Sequence, residues 1–188
     1  MNKGAIAAIL AGATGLASGQ IAVINTAGNV AGNGNSGFGG VIGTGSLDIQ
    51  TFGDGTVTLT LNQGGAGHFD ATVIYIDSLA GGAGISGQGF GGETSDLGFG
   101  ANFAADRAIS LETGFGGMFD LTGDPSNFGF VTTVNPGGLD ANDPSFTMTF
   151  NMSDLGLAAG DSFKLVATYL NNGNAFRSGE FIGADDLG

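Results

Sequence analysis

The 188-residue chain contains 39 Gly, 15 Phe, 3 Pro and neither Trp nor Cys. That length suits one domain with a sizeable core; Gly at this level without a three-residue period excludes collagen, and 41% hydrophobic residues exclude a disordered chain. The formal net charge is -13, and beyond residue 19 only Arg107, Lys164 and Arg177 face 17 carboxylates, which excludes nucleic acid and anionic membrane surfaces as partners. A β-protein with many tight turns remains, suited to divalent cations or to neutral partners such as glycans. Charged residues make up 11% of the chain, so its surface is expected to be mostly Asn, Ser, Thr, Gly and backbone.

Residues 1–19 read as a secretory signal peptide. Lys3 gives the positive start, residues 5–16 an apolar run, and Ala17-Ser18-Gly19 the small residues that place the cut before Gln20. The run is shorter than the roughly 20 apolar residues that a membrane-spanning helix needs. Residues 20–24 form a short first strand and residues 25–40 a Gly/Asn loop. Within that loop Gly32-Asn33-Gly34-Asn35-Ser36-Gly37 is formally a G-x-G-x-x-G. A dinucleotide site needs that motif between a strand and a helix, with an acidic residue further on. No helical period follows, and the pattern recurs by chance at residues 87–92.

Residues 41–52 form a second strand region closed by the hairpin turn Gly53-Asp54-Gly55. Next, Val57, Leu59 and Leu61 alternate with threonines, the apolar set facing a core. Residues 70–77 are the strongest strand of the chain, β-branched and aromatic, apolar on both faces and therefore expected at the centre of a sheet. Residues 79–101 are a long glycine-rich connection that contains Phe90 and Phe99, expected to fold back on that sheet. Residues 104–111, 115–121 and 128–134 are three further strands. After a polar turn at residues 135–144, Phe146, Met148, Phe150 and Met152 share one face of a strand, and Thr147, Thr149 and Asn151 the other. Ser153-Asp154-Leu155 reads as a capped helical turn. Residues 163–170 form a strand with mixed faces, and a last strand lies at residues 175–182. Roughly eight to eleven short strands at this spacing predict a β-sandwich, and no fixed period points to a β-helix or propeller.

The chemistry is sparse. The single histidine, His68, sits at a strand entrance with no G-x-S-x-G and no cysteine elsewhere; it reads as a surface or turn residue. One histidine does not build a zinc or iron site. Calcium takes oxygen ligands alone, so Asp140, Asn142 and Asp143 are candidate calcium ligands, with a second cluster at Asp77, Glu93 and Asp96. The alternative is that these residues bond the backbone of their own turns. Paired carboxylates could cleave glycosides, but such clefts want aromatic platforms. Here Tyr75 and Tyr169 lie in central strands, and most Phe fall at alternating core positions. Arg107, with so few cations available, is expected to be tied to a carboxylate, Asp77 or Asp106.

The succession Tyr75-Ile76-Asp77, then Phe103-Ala104-Ala105-Asp106-Arg107-Ala108-Ile109, then the Met152–Asp161 segment with Ser153-Asp154-Leu155-Gly156-Leu157, resembles secreted bacterial β-sandwich proteins related to the DOMON and family 9 carbohydrate-binding jelly rolls. The resemblance covers residues 70–182 and implies a jelly roll, export, and glycan or ligand binding.

The reading is therefore one all-β, jelly-roll-like antiparallel sandwich over residues 20–188 after a signal peptide. Its expected function is that of a non-catalytic structural protein of the cell surface or extracellular matrix, in the form of a self-assembling filament subunit. The alternative is a carbohydrate-binding or adhesion module with Asp77, Asp106 and Arg107 as its polar groups; a hydrolase ranks third. A filament subunit should expose unpaired strand edges. A binding module should present a concave site with aromatics, and an enzyme two convergent carboxylates in a cleft.

Overall fold

The computed structural model describes residues 20–27, 40–82, 102–122, 129–138, 140–141, 143–171 and 176–183. The strands are β1 (Gln20–Ala27), β2 (Ser46–Phe52), β3 (Thr56–Asn62), β4 (Ala71–Asp77), β5 (Arg107–Glu112), β6 (Phe115–Asp120), β7 (Gly129–Asn135), β8 (Ser145–Asn151), β9 (Lys164–Asn171) and β10 (Phe176–Gly183). They form two antiparallel sheets, one in the order β1-β2-β3-β8 and one in the order β10-β9-β4-β5-β6-β7. The expected antiparallel β-sandwich is thus what the chain adopts.

The strand predicted over residues 41–52 begins only at Ser46. Residues 41–45 are a turn, closed by Gly45 N–H donating to the Ile42 carbonyl and held to the next loop by Gly64 N–H on the Val41 carbonyl. Val41 and Ile42 are buried all the same, so their hydrophobicity marks burial and not extension. The Gly53-Asp54-Gly55 turn forms as expected, with Gly55 at φ +88°, a conformation that costs a residue without Cβ nothing. The helical turn is a 3-10 turn, Met152–Leu155. Asp154 accepts from the Asn151 N–H at 2.8 Å, as a capping box requires.

The main core lies between the sheets. Leu47, Ile49, Val57, Leu59, Leu61, Phe146, Met148 and Phe150 from the four-stranded sheet meet Ile74, Ile76, Ile109, Leu111, Met118, Leu165 and Tyr169 from the six-stranded one. A second apolar cluster occupies the outer face of the six-stranded sheet: Val73, Tyr75, Ala108, Val166 and Leu170, covered by Phe103 and Ala105. Those two stand in the segment just before β5, where residues 104–106 were expected to be strand already; of the connection over residues 79–101 only residues 79–82 are described, so Phe90, Phe99 and its expected folding back on the sheet lie outside the described residues. β4 sits between β9 and β5 and is buried along both faces until Asp77.

The sheet margins are blunted. β7 shifts register against β6 twice, and β10 shifts against β9 between Arg177 and Phe181. On β8, the Thr147 carbonyl accepts from the Asn135 side chain at 3.0 Å. Bulges and side-chain caps of this kind oppose strand addition from another chain.

Candidate functional site

Asp77 closes β4 and Lys164 opens β9, and the ladder sets them directly opposite each other. Lys164 Nζ lies 3.1 Å from Asp77 Oδ2, with side-chain exposures of 39% and 16%. The same ammonium donates to the Asn102 carbonyl. Around this pair is a cavity of about 280 Å³ lined by Asp77, Ser78, Ser162, Phe163 and Lys164. The Ser78 hydroxyl is spent on the Leu155 carbonyl at 3.0 Å.

The other two expected polar groups serve the fold. Asp106 is buried, and its Oδ2 accepts from the Ser78 and Leu79 backbone N–H groups at 2.8 and 2.6 Å, which ties down the start of the long connection. Arg107 corrects the expectation that it binds the Asp77 or Asp106 carboxylate. Its carboxylate partner is Asp120, at 3.1 Å. Its Nε and Nη1 also donate to the Asp154 and Asp106 main-chain carbonyls. Burial alone would raise the Asp120 carboxyl; hydrogen bonds from Thr122 and the Arg107 charge outweigh it and hold the group below its ordinary value. Arg107 therefore clasps β5, β6 and the 3-10 turn, while Asp77 alone faces the cavity.

Asp140 and Asp143 are both exposed, and the Asp143 N–H donates to the Asp140 carbonyl at 2.9 Å, which makes a turn. Asn142 lies outside the described residues, as do Glu93 and Asp96. Among the described residues no three His, Cys, Asp or Glu side chains gather as metal ligands do.

His68 corrects the surface reading. It is 0% exposed. Its ring sits edge-on to Phe146 of one sheet and Tyr169 of the other, at 5.4 and 5.2 Å. Nε2 bonds the Thr72 hydroxyl at 2.6 Å, while Nδ1 has no hydrogen-bond partner. Burial lowers its pKa to about 4, so the ring is neutral at pH 7. Neighbouring Tyr169 is pushed up to about 12, also by burial. The flanking Gly67 and Phe69 gave no hint of this depth, since Phe69 is itself exposed.

Glu180 is a second inward group that sequence reasoning missed. Its Oε1 accepts from the Gly40 and Gly43 N–H groups, pinning β10 to the loop before β2. Arg177, three residues earlier, lies 5.7 Å over the Tyr75 ring and donates to its hydroxyl at 3.2 Å.

Most Phe were expected at core positions; Phe115 and Phe130 are exceptions. Phe130 on β7 is 58% exposed and Phe115 on β6 is 37% exposed. Phe119 joins them into a row, with centroids 6.2 Å from Phe115 and 5.9 Å from Phe130. The Phe115 ring folds back over Gly117, where a Cβ would fall 2.4 Å from its Cζ. β7 itself, Gly-Phe-Val-Thr-Thr-Val-Asn, carries no charge.

Compared with known proteins, the chain matches no family model, no curated protein and no solved structure.

Proposed function

We propose that the chain is a non-catalytic structural β-sandwich, exported behind residues 1–19 and working at the cell surface or in the extracellular matrix through contacts between copies. The observation that carries this reading is the exposed row Phe115–Phe119–Phe130 beside an uncharged strand, in a chain of net charge -13. Although Glu112 stands across the ladder from Phe115, the Phe119–Phe130 end of the row lies beside uncharged β7, and that is where two like-charged copies approach with least repulsion. Because β7 and β10, the edges of the six-stranded sheet, are bulged, the copies meet there face against margin and do not share a continuous sheet. Nothing in this contact requires a reacting group, and Asp106 and Arg107 are consumed by the fold. Light scattering and negative-stain microscopy, with calcium and with chelator, test the reading. Ordered oligomers or polymers are expected, and a stable monomer under both conditions refutes it.

A second reading, an adhesion module for glycans, is favoured by one observation: the cavity beside Asp77 and Lys164. It is also what the likeness to the secreted carbohydrate-binding sandwiches implies.

A further inference from the structure

We infer that the cavity between the end of β4 and the start of β9 takes one ring of a neutral sugar through a vicinal diol. The inference rests on the adhesion reading and names its site. Asp77 and Lys164 are fixed across the ladder with acceptor and donor 3.1 Å apart. The two oxygens of a vicinal diol lie about one hydrogen-bond length apart, so one hydroxyl can donate to the carboxylate while its neighbour accepts from the ammonium. Capacity for both bonds is present. Lys164 has three N–H donors, of which Asp77 and the Asn102 carbonyl engage two. The Asp77 Oδ1 accepts no hydrogen bond among the described residues.

The walls suit the rest of a sugar. Phe163, packed into the main core, adds only an apolar edge to the lining, and Ser162 stands exposed beside it. A cavity of about 280 Å³ holds a single ring and not an extended chain; it lies just below the range of roughly 300–1,000 Å³ usual for larger ligands. Charge selects against the alternatives. An anionic ligand meets a chain of net charge -13, and a cationic one must displace Lys164 from Asp77. A neutral polyol faces neither obstacle.

The chain offers a direct readout, because Lys3 and Lys164 are its only lysines. With ¹³C-labelled lysine the full chain gives two Cε signals, assigned by a Lys164→Arg variant. Methyl α-mannopyranoside and methyl β-galactopyranoside, each with a cis diol, are titrated against cyclohexanol, which has none. The expected result is a saturable shift of the Lys164 signal with either glycoside, no shift of Lys3, and no response to cyclohexanol. Asp77→Asn should weaken binding about tenfold, as expected for losing a charged acceptor, while Asp48→Asn on the opposite sheet should leave it unchanged. A Lys164 signal that ignores both glycosides in a folded chain overturns the inference and leaves a structural ion pair. An equal response to cyclohexanol overturns it too, leaving an apolar cleft. Should a glycan array detect binding while Lys164 stays silent, the adhesion reading stands and this site fails; should neither respond, both fail.

Discussion

The two sheets solve opposite problems with similar residues. In the four-stranded sheet, β2 and β3 alternate half-buried and buried residues without interruption, and β8 alternates exposed and buried. β3 and β8 keep one register from Thr56 opposite Asn151 to Asn62 opposite Ser145. Their outward side chains are Thr, Ser and Asn, so one face stays wet. In the six-stranded sheet, β4 and β9 are buried on both faces, and the outer face needs a cover, part of which is Phe103 and Ala105. Polar groups on that covered face are paired: the Tyr75 hydroxyl and the Thr168 hydroxyl both accept from Arg177. The lesson is that alternation alone builds a one-sided sheet. A two-sided sheet also demands a covering segment and an answer for every buried polar group.

That contrast can be broken most sharply at paired positions. Tyr75→Ala should cost about 4 kcal/mol by urea unfolding, since it empties a large buried site and removes one of the acceptors of Arg177. Thr58→Ala on the wet face of β3 should stay within about 0.5 kcal/mol. Equal costs would mean that the outer face of the six-stranded sheet is not a core.

A somewhat smaller effect should appear where the sheets touch at His68. Its folded pKa of about 4 lies below the ordinary histidine value of 6.5, so folding favours the neutral ring. The contribution is fully present above pH 6.5, declines as pH falls toward 4, and levels off below, amounting to about 3 kcal/mol. Urea midpoints against pH should show this slope in the wild type and lose it in His68→Gln. An unchanged slope would place the ring in water.

The smallest effect on stability, well under 1 kcal/mol, is expected for Phe130→Ser, because the side chain is mostly exposed. Its effect on association should be large: sedimentation should find the variant monomeric where the wild type assembles. Retained assembly would move the interface away from the aromatic row.

Much of the fold was legible in the chain itself. The apolar alternation of residues 57–61 and 146–150 marked β3 and β8, and the doubly apolar run of residues 71–76 marked a central strand. These signals are local, because a strand's two faces are written at a spacing of two residues. Asp77 as a cavity residue was also within reach, as the polar end of an apolar strand.

Tertiary structure alone decided where the remaining polar and aromatic groups went. Glu180 meets Gly40 across 140 residues and Lys164 meets Asp77 across 87. His68 is buried by rings from both sheets, and Arg107 finds Asp120 only because β5 pairs with β6. Phe119 and Phe130 share the pattern of core residues but lie on the face that, among the described residues, no sheet covers. A sequence fixes which side of a strand a residue occupies; it takes the packing of distant strands to determine whether that side is buried, paired or left in water.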